Sequence, residues 1–176
     1  DDFAQMCHIG LRCDPKWIID LDPGSDVAGQ LSASDDVAVW TDTLDKMTRA
    51  AGAKVAIGRY LEDRAVYTSD NFKTAHSGER RSVHLGIDIF MAAGTPILAP
   101  LDGVVAAFND NANDLDYGPV IILEHRTDEG IPFWTKYGHL SRKSLKNLSI
   151  GMKIGRGQEF AQMGPFPENG NWPPHV

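Results

Sequence analysis

The nine residues from Ser82 to Phe90 constrain the fold of this chain more than any other stretch. Apolar residues occupy the odd-numbered positions, and a histidine, a glycine and an aspartate stand between them: Val83, Leu85, Ile87 and Ile89 alternate with His84, Gly86 and Asp88. An alternation of period two predicts a half-buried β-strand with one apolar and one polar face. The sequence therefore predicts a β-sheet whose polar face carries an imidazole and a carboxylate.

His84 and Asp88 are candidates for a shared metal ion, but an ideal strand keeps them apart. Residues four apart in a strand point the same way and lie about 13 Å from each other. Both can bind one ion if the chain bulges, twists or bends between them, and Gly86 is the residue that permits this. The alternative is a histidine and an aspartate facing solvent on an edge strand, and this stretch alone does not decide between the two.

The remaining pattern predicts one helix followed by many strands. Apolar residues at spacings of three and four predict an amphipathic helix, with Ser34 as its N-cap, Gly52 as its stop, and Trp40 and Met47 as core anchors. Beyond it, short apolar runs alternate with turn residues, and Glu62-Asp63 is interpreted as a polar turn. We predict an α+β chain that is mainly β: a helix-bearing lead-in, residues 1–53, and an antiparallel β domain, residues 54–176.

Composition and charge exclude several classes of partner. With 17 basic and 24 acidic residues the net charge is -7, which argues against nucleic acid as a partner. The sequence has no apolar run that could span a membrane, so no membrane partner is expected, and no signal peptide is recognised among these residues. Cys7 and Cys13 are interpreted as ordinary thiols, with a disulfide or half of a metal site as the alternatives. The ends of the chain suggest a segment of a longer protein.

Six histidines are candidates for chemistry, and their surroundings separate them. His8 and His76 lie in irregular polar segments, where we expect surface roles. His125 ends an apolar strand, where we expect a structural role. His139 follows an aromatic strand and a glycine, and His175 follows Trp-Pro-Pro, a stiff approach that fixes where its imidazole points. The last two are therefore the candidates for a functional site.

Two other kinds of site find little support. The loop Asn109–Asp116 is rich in oxygen ligands, but it lacks the central glycine and the closing glutamate of a calcium-binding loop. We therefore predict a solvated connection there. No serine lies in a Gly-x-Ser-x-Gly turn, so a serine nucleophile is not expected.

Seven short motifs follow one another between residues 82 and 176. They are His84–Asp88, Gly94–Ile97, Ala99–Val105, Gly118–His125, Tyr137–Ser141, Ile150–Gln158 and Pro174–Val176. In this order they resemble the lysostaphin/LytM-type zinc metallopeptidase domain. The resemblance implies an antiparallel, hybrid-barrel-like sheet domain, a zinc cofactor, and hydrolysis of peptide bonds in cross-links of peptidoglycan type.

The same resemblance implies roles for particular residues. The H-x-x-x-D motif of that family supplies two zinc ligands, which are here His84 and Asp88. A final H-x-H motif supplies the third ligand from its second histidine, while its first histidine and that of the central motif assist catalysis. Those two are here His175 and His139. The third ligand would follow Val176, so these 176 residues are expected to bind zinc weakly and to hydrolyse little.

The lead-in carries a second resemblance. Residues 47–52, 55–60 and 66–69 are similar to large bacterial proteins in which a peptidase-like domain lies between an aminoglycoside-phosphotransferase-like kinase and a class III, PLP-dependent aminotransferase. This context implies neighbouring domains as partners and a cytoplasmic location, whereas a wall hydrolase would act at the cell envelope. The two competing functions are thus a zinc endopeptidase and a non-hydrolytic binding or spacer module.

A carrier domain is a third possibility. Residues 94–105 and 150–158 also resemble a biotinyl- or lipoyl-carrier domain, in which Lys153 would be modified. Such a domain has no use for His84, Asp88, His139 and His175, so the carrier function is disfavoured.

Overall fold

The computed structural model describes residues 15–34, 36–64, 72–73, 79 and 81–176. Within these residues the chain forms two compact units, Pro15–Phe90 and Met91–Val176. Strands outnumber helices, and the prediction of a mainly β chain with some helix is confirmed. Cys7, Cys13, His8 and His76 lie outside the described residues. No helix in the described part of the chain is long and apolar enough to cross a membrane.

The described residues of the first unit form two small sheets and two α-helices. In its larger sheet, β1 (Lys16–Ile18) pairs in parallel with β2 (Val55–Gly58), and β2 pairs antiparallel with β5 (Asp88–Phe90). In the smaller sheet, β3 (Glu62–Asp63) pairs antiparallel with β4 (Val83–His84). The predicted boundary between residues 53 and 54 falls inside this unit, because β1 and β2 lie on either side of it and pair with each other.

The two helices begin at side-chain caps. Helix α1 (Asp26–Leu31), which was not predicted, is capped by the side chain of Ser25. Helix α2 (Val37–Ala50) is the predicted amphipathic helix, and Gly52, at φ +66°, follows its end as predicted. The prediction of Ser34 as its N-cap was wrong. The carboxylate of Asp36 caps the helix instead, because it accepts a hydrogen bond from the second helical N–H at 2.8 Å.

The core of the first unit lies between its helices and its larger sheet. Its buried members are Ile19, Leu21, Val27, Leu31, Leu44 and Ala56. Trp40 and Met47 pack against this cluster and are partly buried, which confirms their prediction as core anchors. Removing this apolar surface from water stabilises the unit by about 25 cal/mol for each Å² buried.

The stretch Ser82–Phe90 is two short strands rather than one. β4 ends at His84, β5 begins at Asp88, and the chain bends between them. Leu85 and Ile87 are 71% and 60% exposed, so the prediction of a continuous buried apolar face was wrong. The physical reason is that β4 pairs with β3 whereas β5 pairs with β2, so the alternation does not continue through the bend.

The second unit is an antiparallel β structure. Its strands are β6 (Pro96–Leu98), β7 (Gly103–Asn111), β8 (Gly118–Arg126), β9 (Pro132–Tyr137), β10 (Lys153–Ile154) and β11 (Glu159–Gln162). Four of them form a sheet in the order β10-β7-β8-β9, and β6 pairs with β11. A 3-10 helix spans Arg142–Leu145. The predicted antiparallel pairing is confirmed throughout this unit.

Candidate functional site

The bend between β4 and β5 brings the two predicted metal ligands together. His84 Nε2 lies 3.3 Å from Asp88 Oδ1, although an unbent strand would separate the two residues by about 13 Å. The required bend at Gly86 is thus present. A Cβ at residue 86 would lie 3.0 Å from His84 Nε2, so glycine leaves the space in which the imidazole folds back.

The donor atoms of this pair fit a zinc ion. Imidazole nitrogen and carboxylate oxygen bind zinc at about 2.0–2.2 Å in a tetrahedral arrangement, which sets two ligands of one ion about 3.3–3.6 Å apart. The observed separation of Nε2 and Oδ1 is 3.3 Å. His84 and Asp88 could therefore hold one zinc ion without moving apart.

A buried arginine, Arg64, contacts both His84 and Asp88 through atoms other than the facing His84 Nε2 and Asp88 Oδ1. Arg64 donates a hydrogen bond from Nη2 to His84 Nδ1 at 3.0 Å, and its Nη1 pairs with Asp88 Oδ2 at 2.9 Å. Its Nε donates to Glu62 Oε2 at 2.8 Å, and both side chains are almost fully buried. The interpretation of Glu62-Asp63 as a polar turn was wrong, because these residues form β3 and Glu62 points inward.

Sequence reasoning missed Glu62 and Arg64. The available signal was their spacing, since opposite charges two apart in a strand lie on one face. Charged side chains are almost always exposed unless they are paired, which is why two of them beside a predicted turn were assigned to solvent.

Three carboxylates in the first unit surround another arginine, Arg59. Among the described residues, Asp20, Asp22 and Glu62 bring three carboxylates close enough for a metal ion. Arg59 already binds all three, at 2.7, 2.8 and 3.1 Å. Its hydrogen bond to Glu62 raises the pKa of Arg59 above its ordinary value. We assign no metal to this group, because a guanidinium occupies it.

The two predicted catalytic histidines lie side by side in the second unit. The ring centroids of His139 and His175 are 4.2 Å apart, and the rings are tilted by 31°. His139 Nδ1 donates to the carbonyl of Asn169 at 2.8 Å, and His175 Nδ1 donates to that of Pro173 at 2.7 Å. Because a carbonyl can only accept, each neutral ring carries its proton on Nδ1 and its lone pair on Nε2. This is a tautomer in which Nε2 can accept a proton.

Backbone geometry and an aromatic ring fix His139. Its φ is +56°, and its N–H donates to the carbonyl of Tyr117 at 2.7 Å. The ring of Tyr117 lies 5.7 Å from its imidazole. A Cβ on Gly138 would lie 3.0 Å from Tyr117 Cδ1, so this glycine makes room for the tyrosine ring. Sequence reasoning missed both Tyr117 and Asn169, because nothing local in the sequence links them to His139.

The comparison with known families settles what kind of domain carries these residues. Residues 82–176, more than half of the chain, match peptidase family M23. The chain belongs to peptidase family M23. The LytM-type domain recognised from its motifs is therefore confirmed, and with it a metallopeptidase type of domain.

Solved structures similar to this M23 chain include two bacterial proteins. One is a zinc containing peptidase from Vibrio cholerae, with 26% identity and a TM-score of 0.43 over 58% of this chain and 28% of that chain. The other is Csd3 from Helicobacter pylori, with 23% identity and a TM-score of 0.37 over 66% of this chain and 28% of that one. The chain thus spans about a quarter of each. No curated protein matches it.

The M23 chain divides the four candidate residues between its two units. His84 and Asp88 form a pair in the first unit, and His139 and His175 form a pair in the second. His125 belongs to neither pair. It is 1% exposed, and its two ring nitrogens bond the carbonyl of Asp102 and the hydroxyl of Thr135, both at 2.8 Å. Its predicted structural role is confirmed.

The predicted solvated connection, Asn109–Asp116, covers the end of β7 and the residues that lead to β8. In the described part of the chain, the three-carboxylate group around Arg59 is the one group of three or more such side chains whose ligand atoms meet metal spacing. Asp110, near the end of β7, pairs with Arg142 at 2.8 Å.

Replacing Gly86 with alanine is expected to weaken zinc binding by about 10- to 100-fold while the domain stays folded. The added Cβ would lie 3.0 Å from His84 Nε2 and would displace this proposed zinc ligand. Disturbing the contacts that orient a metal ligand lowers metal affinity by about this factor. Zinc affinity by calorimetry and the urea midpoint measure the two effects separately. Gly29→Ala is the control, because nothing lies within 4 Å of its added Cβ. Equal zinc affinities in the two variants would contradict the assignment.

Proposed function

We propose that this M23 domain is a zinc-dependent endopeptidase that hydrolyses peptide bonds in cross-links of peptidoglycan type. The observation that carries the proposal is the separation of His84 Nε2 and Asp88 Oδ1, which suits two ligands of one zinc ion. Zinc, when bound, polarises the peptide carbonyl and lowers the pKa of a water molecule toward about 7.

In this proposal His139 and His175 move protons. Each neutral ring has its lone pair on Nε2, because Nδ1 is engaged as a donor to a backbone carbonyl. Nε2 can therefore take the proton of the attacking water and return it to the leaving amine. Once protonated, the same nitrogen can donate a hydrogen bond to the developing oxyanion. The carbonyls of Asn169 and Pro173 keep both rings in the tautomer that this task requires.

The charge of the chain limits how it could recognise a cell wall. A net charge of -7 gives no general attraction to an anionic polymer. Binding energy must then come from local contacts with the peptide, which agrees with a peptide cross-link as the substrate.

A non-hydrolytic binding or spacer module, inside a longer enzyme, is the second candidate function. The observation that favours it is the satisfaction of His84 and Asp88 by protein groups, since each contacts Arg64 as well as the other. A buried ionic network of this kind can be structural without any metal. In that case zinc would bind no tighter to this chain than to a variant without His84.

Hydrolysis of a glycine-containing wall peptide tests the proposal. We define the histidine-extended protein as this chain with one histidine added after Val176, which supplies the third ligand that the family resemblance implies. It is expected to cleave the peptide only with zinc. His139→Ala in the same protein should lower kcat by about 10²- to 10⁴-fold, the size of a lost acid–base group, with zinc affinity unchanged. Absence of zinc-dependent cleavage, or equal rates in the two proteins, would contradict the proposal.

A further inference from the structure

The contact between Arg64 and His84 fixes which ring nitrogen of His84 carries the proton. Arg64 Nη2 lies 3.0 Å from His84 Nδ1. A guanidinium can donate hydrogen bonds but cannot accept them, so Nδ1 must present its lone pair. The neutral ring then carries its proton on Nε2, where Asp88 Oδ1 lies 3.3 Å away. In this tautomer the proton on Nε2 faces the carboxylate of Asp88, the other proposed ligand.

Arg64 is itself held in place by buried groups. Glu62, whose side chain is fully buried, accepts a hydrogen bond from Arg64 Nε at 2.8 Å. The other oxygen of Glu62 accepts from the backbone N–H of Leu21 at 2.8 Å and from Arg59 Nε at 3.1 Å. A Cβ on Gly58 would lie 2.9 Å from Arg64 Nη2, so a glycine opposite Asp88 provides the space for the guanidinium. This set of contacts keeps Arg64 against the pair.

The arrangement is opposite to the usual support of a histidine ligand. A histidine that binds a metal through one nitrogen normally donates its other N–H to a carboxylate or a carbonyl. If His84 binds zinc through Nε2, the ring proton sits on Nδ1 and faces an N–H of Arg64. Two donors then oppose each other. The positive charge of Arg64 also opposes zinc binding, because Arg64 already pairs with the carboxylate of Asp88 at 2.9 Å.

We propose that Arg64 is a latch that stabilises the metal-free state of the His84–Asp88 pair and competes with zinc for it. To load zinc, His84 loses its proton from Nε2 to water, takes one from water at Nδ1, and gives up its contact with Arg64. The ion pair of Arg64 with Glu62 can persist in both states. The competition with zinc rests on the proposed function, whereas the tautomer of the metal-free ring does not.

Nitrogen NMR of the metal-free protein tests the tautomer directly. At about pH 8.5, well above the ordinary imidazole pKa of about 6.5, the neutral ring should show a protonated Nε2 and an unprotonated Nδ1 at His84. The spectrum of His84→Gln assigns the signals. A ring protonated on Nδ1 would overturn the proposal, and this measurement needs no variant of Arg64 to fold.

Two substitutions of Arg64 test the competition with zinc. Arg64→Gln removes the charge and introduces an oxygen that can accept, so zinc should bind about tenfold tighter or more, on the scale of outer-ligand effects. Arg64→Lys keeps a cationic donor, so its zinc affinity should stay within about threefold of the original chain. Unchanged or weaker zinc binding by Arg64→Gln would overturn the latch.

Failure of the latch and failure of the proposed function give different results. If zinc affinity does not depend on His84 at all, as measured with His84→Gln, the proposed zinc site fails while the tautomer measurement still stands. If zinc binding depends on His84 but Arg64→Gln does not tighten it, the zinc site stands and the latch fails.

Discussion

Replacing His84 with alanine in the histidine-extended protein is expected to lower kcat/KM for peptide hydrolysis about a thousandfold. The substitution removes one of the two proposed zinc ligands on the bend between β4 and β5. A metal ion supplies several kcal/mol of stabilisation to the transition state of peptide hydrolysis, and each 1.4 kcal/mol corresponds to about a factor of ten in rate. Initial rates at saturating zinc measure the effect.

The neighbouring Val83 provides the matched control for this substitution. Val83 lies on the same strand as His84 and is 48% exposed, so Val83→Ala perturbs β4 without touching the proposed ligands. It should keep hydrolysis within a few-fold of the histidine-extended protein. Retention of more than a tenth of the activity by His84→Ala would show that the metal is held elsewhere.

Alanine at Gly170 is expected to cost about 2–5 kcal/mol of unfolding free energy. Gly170 has φ +89°, which costs a residue with a Cβ about 1–2 kcal/mol. The added Cβ would also overlap the backbone carbonyl of Asp116, and overpacking costs about 1–3 kcal/mol. Because the preceding carbonyl, that of Asn169, accepts the hydrogen bond of His139, hydrolysis should fall as well. Urea denaturation measures the change in stability.

Gly130→Ala separates the two contributions to this loss. Gly130 has φ +80°, but nothing lies within 4 Å of a Cβ added there. Gly130→Ala should therefore lose only the unfolding free energy that the positive φ costs, about 1–2 kcal/mol, and should leave hydrolysis unchanged. Equal losses in the two variants would mean that the backbone around Gly170 does not pack closely against Asp116.

The strands of the second unit could be predicted because their signals are local. β7, β8 and β9 are runs of apolar residues bounded by turn residues, and antiparallel neighbours need only short connections. The candidate residues came from motifs that lie in collinear order in the sequence. In both cases, no knowledge of distant contacts was required.

The stretch around His84 could not be predicted in the same way. Its alternation favours one strand, but pairing of β4 with β3 and of β5 with β2 bends the chain. Those partners lie some 20 or more residues earlier in the sequence, so the outcome depends on tertiary packing rather than on the local pattern. The exposure of Leu85 and Ile87 follows from the same pairing.

The burial of Glu62 and the tautomers of the histidines depend on contacts that form only in the folded chain. The carboxylate of Glu62 accepts hydrogen bonds from Arg59, three residues earlier, and from the backbone N–H of Leu21, and the position of Leu21 beside Glu62 cannot be inferred from the residues around Glu62. The proton positions on His139 and His175 depend on carbonyls that only the folded chain brings within reach. These are the features that set the chemistry of each histidine.

The most direct test of the central claim is the zinc content of the histidine-extended protein after dialysis, measured beside its His84→Ala and Asp88→Ala variants. The account predicts about one zinc ion per chain in the parent protein and almost none in either variant. It also predicts that adding zinc back restores peptide hydrolysis to the parent protein alone. Equal zinc content in all three proteins, or hydrolysis that survives removal of zinc by a chelator, would contradict it.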